Sequence, residues 1–254
     1  MKDDKPIFTP LDFIKHISET RKVSVKSLKV PRRMIIVYRS ATFSHIQQSY
    51  SGKIFEWIYG DDRPFYILDH AGVRIGVFRS SVGAPAAAFL LEELITCGAK
   101  EIIEVGIAGG IQSNLNVGDI IVVTEAVRDE GTSNHYFPPK VRLESSQKLK
   151  GKIVGILERK KIGFRLGPFW TTDALYRETK GKFLKYKSQG VLAIDMETSA
   201  LFAVAKHRKA NIASLQVVSD ILSETGWSPA FRQTSVITGL EKLIHCVITA
   251  LSEV

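Results

Sequence analysis

One stretch constrains the fold of this chain more than any other: residues 191–220, VLAIDMETSALFAVAKHRKANIASLQVVSD. It begins as a short apolar run, continues as a helix, and returns as an apolar strand over residues 213–219 that stops at Asp220. Asp195, Glu197 and Asp220 therefore lie at the ends of buried elements. A carboxylate is costly to bury without partners, and α/β sheets bind ligands at the carboxyl ends of their strands. The stretch therefore predicts a ligand site on a strand–helix–strand unit.

The rest of the chain alternates between short apolar runs and segments with helical periodicity. The predicted strands cover residues 34–38, 65–68, 73–78, 101–105, 117–124 and 164–171, and the predicted helices cover residues 10–20, 85–97, 143–161 and 236–251. Residues 39–43 read as a loop before a helix from Ser44, and residues 106–110 read as a Gly-rich loop. The alternation predicts a single α/β domain over residues 1–254, with residues 1–33 as an N-terminal lead-in.

Charge and cysteine usage limit the classes of partner. The net charge is +9, and residues 140–187 hold fourteen Lys and Arg against four Asp and Glu. We interpret this excess as a solvated surface, because no aromatic-interleaved basic motif accompanies it, and nucleic acid is the least favoured partner. Cys97 and Cys246 lie far apart in apolar segments, which favours free thiols and a cytoplasmic location. The N-terminus lacks an apolar signal core and no apolar run approaches about 18 residues, so we expect no membrane partner.

Motifs for metals, cofactors and nucleophiles are weak. Residues 106–110 (GIAGG) follow neither the GxGxxG nor the P-loop pattern. The histidines do not pair with Cys, Asp or His at ligand spacing, and no GxSxG elbow is present. We therefore expect neither a metal nor a cofactor.

Six short motifs occur in a fixed order along the chain. They are residues 81–85 (SVGAP), 105–110 (VGIAGG), 117–119 (VGD), 127–133 (VRDEGTS), 194–197 (IDME) and 218–220 (VSD). With them the chain resembles the nucleoside phosphorylase family, which includes purine nucleoside phosphorylases and uridine phosphorylases. The resemblance implies a three-layer α/β/α sandwich around a twisted, partly closed mixed β-sheet. It also implies a homo-oligomer (dimer, trimer or hexamer) in which a neighbouring subunit completes each site.

The resemblance further implies a nucleoside substrate. The family breaks the bond between C1′ of ribose and a base nitrogen, through a transition state with oxocarbenium character. By resemblance, Glu197 accepts hydrogen bonds from the ribose 2′ and 3′ hydroxyls, and Met196 packs its thioether against the sugar. Asp195 falls on the ribose side by the same resemblance. The family usually has Glu at this position, so the side chain here is one methylene shorter.

Residues on the base side follow from the same resemblance. Leu175 and Tyr176 fall where an aromatic pair encloses the base, with Trp170 as an alternative ring and Ser219 beside the site. Asp220 corresponds to the residue that donates a proton toward N7 of a leaving purine, a task that needs a carboxylic acid with a raised pKa.

The choice between purine and uridine depends on two segments. Uridine-cleaving members use a Gln and an Arg shortly after the residue that matches Tyr176, and residues 177–181 (RETKG) lack that pair. Residues 128–135 look more like the uridine branch. Because Asp220 would take part in the chemistry, a purine nucleoside is the favoured substrate.

The phosphate or water region, which comprises Arg39, Glu104, Gly106 and Ile107, departs from the family. Residues 39–43 (RSATF) replace a loop that carries Gly-Asp-Pro and then Arg. Glu104 stands where the family has Arg, and Ile107 stands where it has Ser or Thr. These replacements remove or reverse three expected ligands of inorganic phosphate.

Three interpretations of this departure stay open. Arg39, Arg63 or Arg79 could rebuild a phosphate site, which would give phosphorolysis to free base and ribose 1-phosphate. Water could replace phosphate, with Glu104 orienting it, which would make the protein a nucleosidase. The chain could also bind nucleosides without cleaving them.

Overall fold

One mixed β-sheet organises the fold, with helices on both of its faces. The structure is a computed structural model that describes residues 5–59 and 64–253. Its strands are β1 (Arg33–Val37), β2 (Gly52–Ile54), β3 (Phe65–His70), β4 (Val73–Arg79), β5 (Glu101–Gly110), β6 (Ile120–Asp129), β7 (Leu143–Glu144), β8 (Arg165–Thr172), β9 (Ala193–Asp195), β10 (Asn211–Ser223) and β11 (Gly226–Pro229). Its α-helices are α1 (Pro10–Arg21), α2 (Ser40–Ser49), α3 (Ala84–Thr96), α4 (Gln147–Arg159), α5 (Lys180–Ser188), α6 (Thr198–His207) and α7 (Thr234–Ser252).

The sheet closes on itself at one end. The strand order is β11-β10-β6-β8-β9-β5-β1-β4-β3-β2, with β7 beside β6. Because β5 also pairs with β10, the strands β5, β10, β6, β8 and β9 form a ring from which β1 to β4 extend as an open sheet. The neighbours β4, β1, β5 and β10 are parallel, so their carboxyl ends lie at one edge. This topology confirms the predicted partly closed mixed sheet.

Two apolar cores separate the three layers. The central parallel strands are apolar almost throughout, as is usual for strands that are covered on both faces. One face packs against α1, α3 and α6 through a core that includes Ile102 and Leu201. The other face packs against α2, α4 and α7 through a core that includes Ile103 and Leu243. The predicted α/β/α sandwich is therefore confirmed.

The strand that carries Asp220 is longer than the sequence predicted. β10 continues to Ser223 and turns into β11, so Asp220 lies inside a β-ladder, opposite Pro229. The prediction that the strand stops at Asp220 is wrong, because the hairpin continues it. The register between β10 and β5 shifts between Val218 and Asp220, and this irregularity marks the site end of the ladder.

The Gly-rich segment predicted as a loop is instead the second half of β5, which extends to Gly110. Glycine is suited to this strand because side chains of β9 and β10 crowd it. A Cβ on Gly109 would lie 2.8 Å from Leu222 Cδ1, 3.0 Å from Asp220 Oδ2 and 3.1 Å from Ile194 Cγ2. Close approach of neighbouring side chains is one of the reasons for glycine inside a strand.

Gly109→Ala should therefore destabilise the fold. Overpacking of a filled site costs roughly 1–3 kcal/mol, and the free energy of unfolding should fall by that amount in a urea titration. Gly181→Ala is the matched control, because Gly181 lies in α5 with no neighbouring atom within 4 Å of the added Cβ. Equal stability of the two variants would contradict the crowding at Gly109.

Two predicted loops are partly regular structure. α2 begins at Ser40, so residues 40–43 form its first turn and not a loop. β6 continues to Asp129, and a short 3₁₀ helix spans Thr132–His135, so only part of the polar segment 126–139 is irregular. The polar residues of this segment hydrogen-bond their own backbone: Arg128 donates to the carbonyls of Phe137 and Pro138.

The last helix is longer than the predicted helix 236–251, and it is strongly apolar. α7 has 19 residues with a mean hydropathy of 1.3 in its most apolar window, enough by length and composition to cross a membrane. Within the protein, 56% of that window is buried. α7 packs on the sheet through residues such as Leu243 and Val247, as expected of a core helix.

Candidate active site

Acidic side chains meet at the carboxyl ends of the parallel strands, on the face that packs against α3 and α6. Glu104 lies in β5, Asp195 ends β9, and Glu197 precedes α6. One carboxylate oxygen from each residue lies within 4.8 Å of the others. We refer to these three residues as the acid cluster.

Glu197 is fixed by backbone donors. The Gly83 amide donates to Oε1 at 2.6 Å, and the Met196 amide donates to Oε2 at 3.2 Å. Gly83 has φ = 110°, a conformation that favours glycine and directs its N–H toward the carboxylate. Burial raises the pKa of Glu197 well above its ordinary value, and the charges of Asp195 and Glu104 raise it further. The carboxyl is thus buried, oriented and close to other negative charge.

Both carboxylate oxygens of Asp195 accept hydrogen bonds from other groups of the protein. The Thr171 hydroxyl donates to Oδ1 at 2.7 Å, and the amide of Thr198 donates to Oδ2 at 3.2 Å, as does its hydroxyl through a short contact. Burial raises the pKa of Asp195 to about 6, although these hydrogen bonds lower it. Because both oxygens are engaged, Asp195 ties β8 and β9 to the start of α6 and holds Glu197 in place.

Glu104 is fully buried and is held by hydroxyl groups. Tyr38 donates to Oε1 at 2.6 Å, and the Thr198 hydroxyl, whose one hydrogen is shared with the closer Asp195, lies 3.0 Å from Oε2. Burial and the neighbouring Asp195 raise the pKa of Glu104 to about 7, while hydrogen bonds from Tyr38, Ser214 and Thr198 lower it. Burial also raises the pKa of Tyr38, and the charge of Glu104 adds to the effect. At neutral pH the Glu104 carboxyl can therefore gain or lose a proton.

No ion pair among the described residues includes a member of the acid cluster. Oxygen ligands at this spacing could hold a divalent cation. The sequence prediction of no metal rested on the spacing of histidines and cysteines, which could not reveal a cluster of carboxylates. Bound protons reduce the negative charge as a cation would, because the raised pKa values of Glu104 and Glu197 keep part of the acid cluster neutral.

Glu104→Gln should make the stability less dependent on pH. Its pKa rises from 4.5 to about 7 on folding, so the folded state binds the proton more tightly than the unfolded state. Stability is then full below the unfolded pKa and falls by up to about 3 kcal/mol as pH rises through the folded pKa. Urea unfolding at about pH 5 and about pH 8 should show a smaller loss in the variant. The same loss in both proteins would show that Glu104 does not titrate as described.

Asp220 lies farther along the ladder of β5 and β10, where it pairs with Gly109 and its Oδ2 would be 3.0 Å from a Cβ on that glycine. The Ser219 hydroxyl donates to Oδ1 at 2.6 Å, and the Trp227 indole donates to Oδ2 at 2.7 Å. Trp227 lies on β11, so the hairpin that the sequence analysis missed supplies one of the two donors. Asp220 is 7% exposed, and its orientation is set from both sides.

Glu178 is a second acid near Asp220. It follows a short 3₁₀ helix, Leu175–Arg177. Its Oε1 is buried and has no hydrogen-bond partner among the residues described. Burial and the negative charge of Asp220 raise its pKa to about 7. An unpartnered carboxyl oxygen in this position is available to a ligand.

The other residues predicted on the base side are dispersed. Trp170 is fully buried, stacks on Tyr186 with ring centroids 4.7 Å apart, and donates to Asp129 at 2.9 Å. It is a core residue and does not face an open pocket. Leu175 and Tyr176 lie on the surface, 50% and 96% exposed. Only Ser219 is in contact with Asp220.

The residues predicted to form the phosphate or water region do not all lie together. Gly106 lies on the same face of β5 as Glu104, whereas Ile107 packs into the opposite core, toward α7, because successive residues of a strand alternate in direction. The Arg39 guanidinium donates to the Phe231 carbonyl at 3.0 Å. Ile107 therefore does not join Glu104 at the acid cluster.

The other candidate arginines add little to this region. Arg79 donates to the Ser40 hydroxyl at 2.6 Å. Arg63, the third candidate, lies outside the described residues. In the part of the chain that the structure describes, no arginine is shown in contact with the acid cluster.

Several site residues escaped the sequence analysis. Tyr38, Thr198 and Ser214 hydrogen-bond one another or Glu104, and Gln216 extends the network through Ser214. The sequence carried a signal for two of these residues. Ser214 and Gln216 are polar residues that alternate with apolar residues in the predicted strand.

A partly closed mixed sheet with acids at the carboxyl ends of its parallel strands defines a nucleoside phosphorylase-like α/β protein. The model of the Phosphorylase superfamily matches residues 43–252, and the chain belongs to this superfamily. The resemblance drawn from the six motifs is thereby confirmed.

Individual relatives are named for guanosine or for purine nucleosides. A guanosine phosphorylase of Halorubrum lacusprofundi is 29% identical over 153 residues, which span 59% of this chain and 64% of that protein. A DeoD-type purine nucleoside phosphorylase of Bacillus cytotoxicus is 32% identical over 186 residues, which span 70% of this chain and 77% of that protein. The match to the archaeal relative thus covers slightly less than two thirds of that protein.

Solved structures show the same fold. Uridine phosphorylase from Vibrio fischeri has a TM-score of 0.74 at 24% identity. Purine nucleoside phosphorylase from Toxoplasma gondii, in complex with immucillin-H, has a TM-score of 0.81 at 20% identity. Each comparison covers 89% of this chain and 92% of the other. Both branches of the family therefore share the fold, which does not discriminate between them.

Proposed function

We propose that this chain cleaves the N-glycosidic bond of a nucleoside, and that the favoured leaving group is a purine. The observation that carries the proposal is a pair of buried, oriented acids: Glu197, held by the backbone amides of Gly83 and Met196, and Asp220, held by the side chains of Ser219 and Trp227. One buried acid anchored by backbone amides and a second acid held by two side-chain donors suit the two ends of a nucleoside.

The chemistry assigns a task to each end. Glu197 accepts hydrogen bonds from the ribose 2′ and 3′ hydroxyls and holds C1′ over the acid cluster. Asp220 donates a proton to N7 of the purine as the bond from C1′ to N9 breaks, so the base leaves without a negative charge. Met196, half-buried between Asp195 and Glu197, packs against the sugar.

Two features support a purine over uridine. Relatives that are named for guanosine or purine nucleosides match the sequence, and Asp220 with Glu178 gives two carboxyl groups for the N7 side of a purine. Uracil has no N7 to accept such a proton. The uridine phosphorylase neighbour supports only the fold.

A substrate panel tests the proposal. The protein is incubated with inosine, guanosine, adenosine and uridine, each with and without inorganic phosphate, and the free base is measured by chromatography. Release of hypoxanthine, guanine or adenine in excess of uracil is expected. Uracil released fastest would overturn the purine assignment. Saturable nucleoside binding without base release under either condition would indicate a non-catalytic binder.

We also propose that the chain forms a homo-oligomer. Apolar side chains stand exposed in and just before α3 and in the N-terminal lead-in: Ile7, Phe8, Val82 and Phe89 are 104%, 68%, 62% and 42% exposed. Val82 is adjacent to Gly83, which holds Glu197. Sedimentation of the full chain should give a mass above the 28.3 kDa of one chain.

A further inference from the structure

The acid cluster contains one more carboxyl group than ribose binding requires. Glu197 serves the ribose in the proposed function, and Asp195 is fully engaged in holding the backbone. Glu104 remains, buried beside both. We infer that the acceptor of the ribosyl group is water and that Glu104 removes the proton of this water. The inference rests on the proposed function and names its second substrate.

Charge disfavours an anionic acceptor at this position. Three carboxyl groups lie together with no cation paired to them among the described residues. The arginines at the carboxyl ends of β1 and β4 are bound elsewhere, Arg39 to a carbonyl and Arg79 to a hydroxyl. Phosphate would bring further negative charge into a buried, acidic site, where repulsion is poorly screened. Water carries no charge and meets no such repulsion.

The face of β5 and β10 around Glu104 offers a place for water. The parallel register sets Ser214 opposite Glu104 and Gln216 opposite Gly106. The Gln216 Nε2 donates to Ser214 at 3.1 Å, but its Oε1 has no hydrogen-bond partner among the described residues although Gln216 is only 1% exposed. Buried polar atoms in this state are normally satisfied by ordered water.

Glycine at position 106 lets the Gln216 side chain lie against β5. A Cβ on Gly106 would lie 2.4 Å from the unpartnered Oε1 of Gln216. A water that donates one hydrogen to Gln216 and the other to Glu104 would satisfy both acceptors. Such a water would keep the lone pairs of its oxygen free to attack C1′ of a ribose that Glu197 holds.

Glu104 also has the acid–base character of a general base. Burial raises its pKa to about 7, and a base is most effective when its pKa lies near the working pH. The groups that face it are Tyr38, which follows β1, Asp195 of β9, Glu197 before α6, and the hydroxyls of Thr198 and Ser214. Tyr38 and Thr198 are donors that keep the carboxylate oriented.

The reaction balances without a further reactant. The bond from C1′ to N9 breaks, and its electron pair goes to the base, which takes a proton from Asp220. The water oxygen forms a bond to C1′, and its proton goes to Glu104. Proton exchange with solvent then restores both carboxyl groups. The sum is nucleoside and water giving ribose and free base.

Product analysis of the unaltered protein tests the inference. The full chain, freed of phosphate by dialysis, is incubated with inosine, and the sugar product is identified by mass spectrometry. Free ribose formed at a rate that added phosphate does not raise is expected, also in the presence of EDTA. Ribose 1-phosphate formed only with phosphate would overturn the inference and leave the proposed function intact. Absence of base release from every nucleoside would instead overturn the proposed function.

Variants test the role of Glu104. Glu104→Gln should lower hydrolysis by about 10²–10⁴-fold, while Glu101→Gln, a nearly buried acid at the first residue of β5, should not. Glu104→Ala should release hypoxanthine again when sodium azide is added, because azide attacks C1′ without losing a proton, and ribosyl azide should appear. Hydrolysis at the wild-type rate in Glu104→Gln, or no ribosyl azide from a folded Glu104→Ala, would show that Glu104 is not the base.

Discussion

Asp220→Asn should lower kcat for purine nucleoside cleavage by about 10²–10⁴-fold, the usual contribution of a general acid. The variant keeps the size of the side chain and an oxygen that can accept the hydrogen bond of Trp227, and the Ser219 hydroxyl, which can donate to the Ala108 carbonyl, can accept from the new amide. It loses the proton that would neutralise the leaving purine. The base must then depart as an anion, which raises the barrier of the bond-breaking step. Initial rates with inosine measure the effect.

A substrate with an activated base separates this role from a structural one. In 7-methylguanosine the imidazole ring is already cationic, so the base leaves without a proton from the protein. Asp220→Asn should therefore cleave 7-methylguanosine at close to the wild-type rate. Asp69→Asn, an exposed acid in the β3–β4 hairpin, is the matched control and should leave both rates unchanged. Equal losses on inosine and 7-methylguanosine would show that Asp220 positions the site without donating a proton.

The sequence predicted the fold well because the layers follow from apolar periodicity. Long apolar runs gave β1, β5 and β10, and the single apolar face of residues 236–251 gave α7. The predicted ends of the strands and helices were less reliable than their positions. The predicted loop 106–110 is a strand because β9 and β10 pair along it, and these contacts are distant in sequence.

The proximity of Asp195 and Glu197 was predictable because these residues are adjacent in sequence. Asp195 and Glu197 flank one turn, so their proximity is local. Glu104 was recognised as an anomaly of charge, but its hydroxyl donors arrive from β1 and α6 through tertiary packing. Trp170 was misleading, because an aromatic residue near a site is as often core, and here its ring is enclosed by Tyr186.

The surroundings of Asp220 depend on contacts that the sequence does not show. Trp227 reaches Asp220 only because β10 continues into β11. Glu178 approaches Asp220 from the loop between β8 and α5, and its unpartnered oxygen is apparent only once burial is known. Single polar residues in loops carry no periodic signal, so only their position in the fold distinguishes them from solvated surface.

Glu197→Gln should lower kcat/KM for inosine by about 10²–10³-fold, the scale that removal of one preorganised electrostatic contact reaches. The carboxylate would accept both ribose hydroxyls, and these bonds strengthen as positive charge develops on the sugar in the transition state. An amide has one acceptor oxygen and carries no charge, so kcat should fall and KM should rise. Glu92→Gln, an acid paired with Arg208 between α3 and α6, is the matched control and should leave both unchanged.

Substrates without hydroxyls decide whether Glu197 acts through the ribose. With 2′,3′-dideoxyinosine the hydroxyls are absent, so the wild type and Glu197→Gln should differ far less than they do with inosine. An equal loss on both substrates would mean that Glu197 supports the fold and does not bind the sugar. The pH dependence gives a second readout: because burial holds the pKa of Glu197 above its ordinary value, the accepting carboxylate forms as pH rises. KM for inosine should therefore fall with increasing pH in the wild type and stay level in the variant.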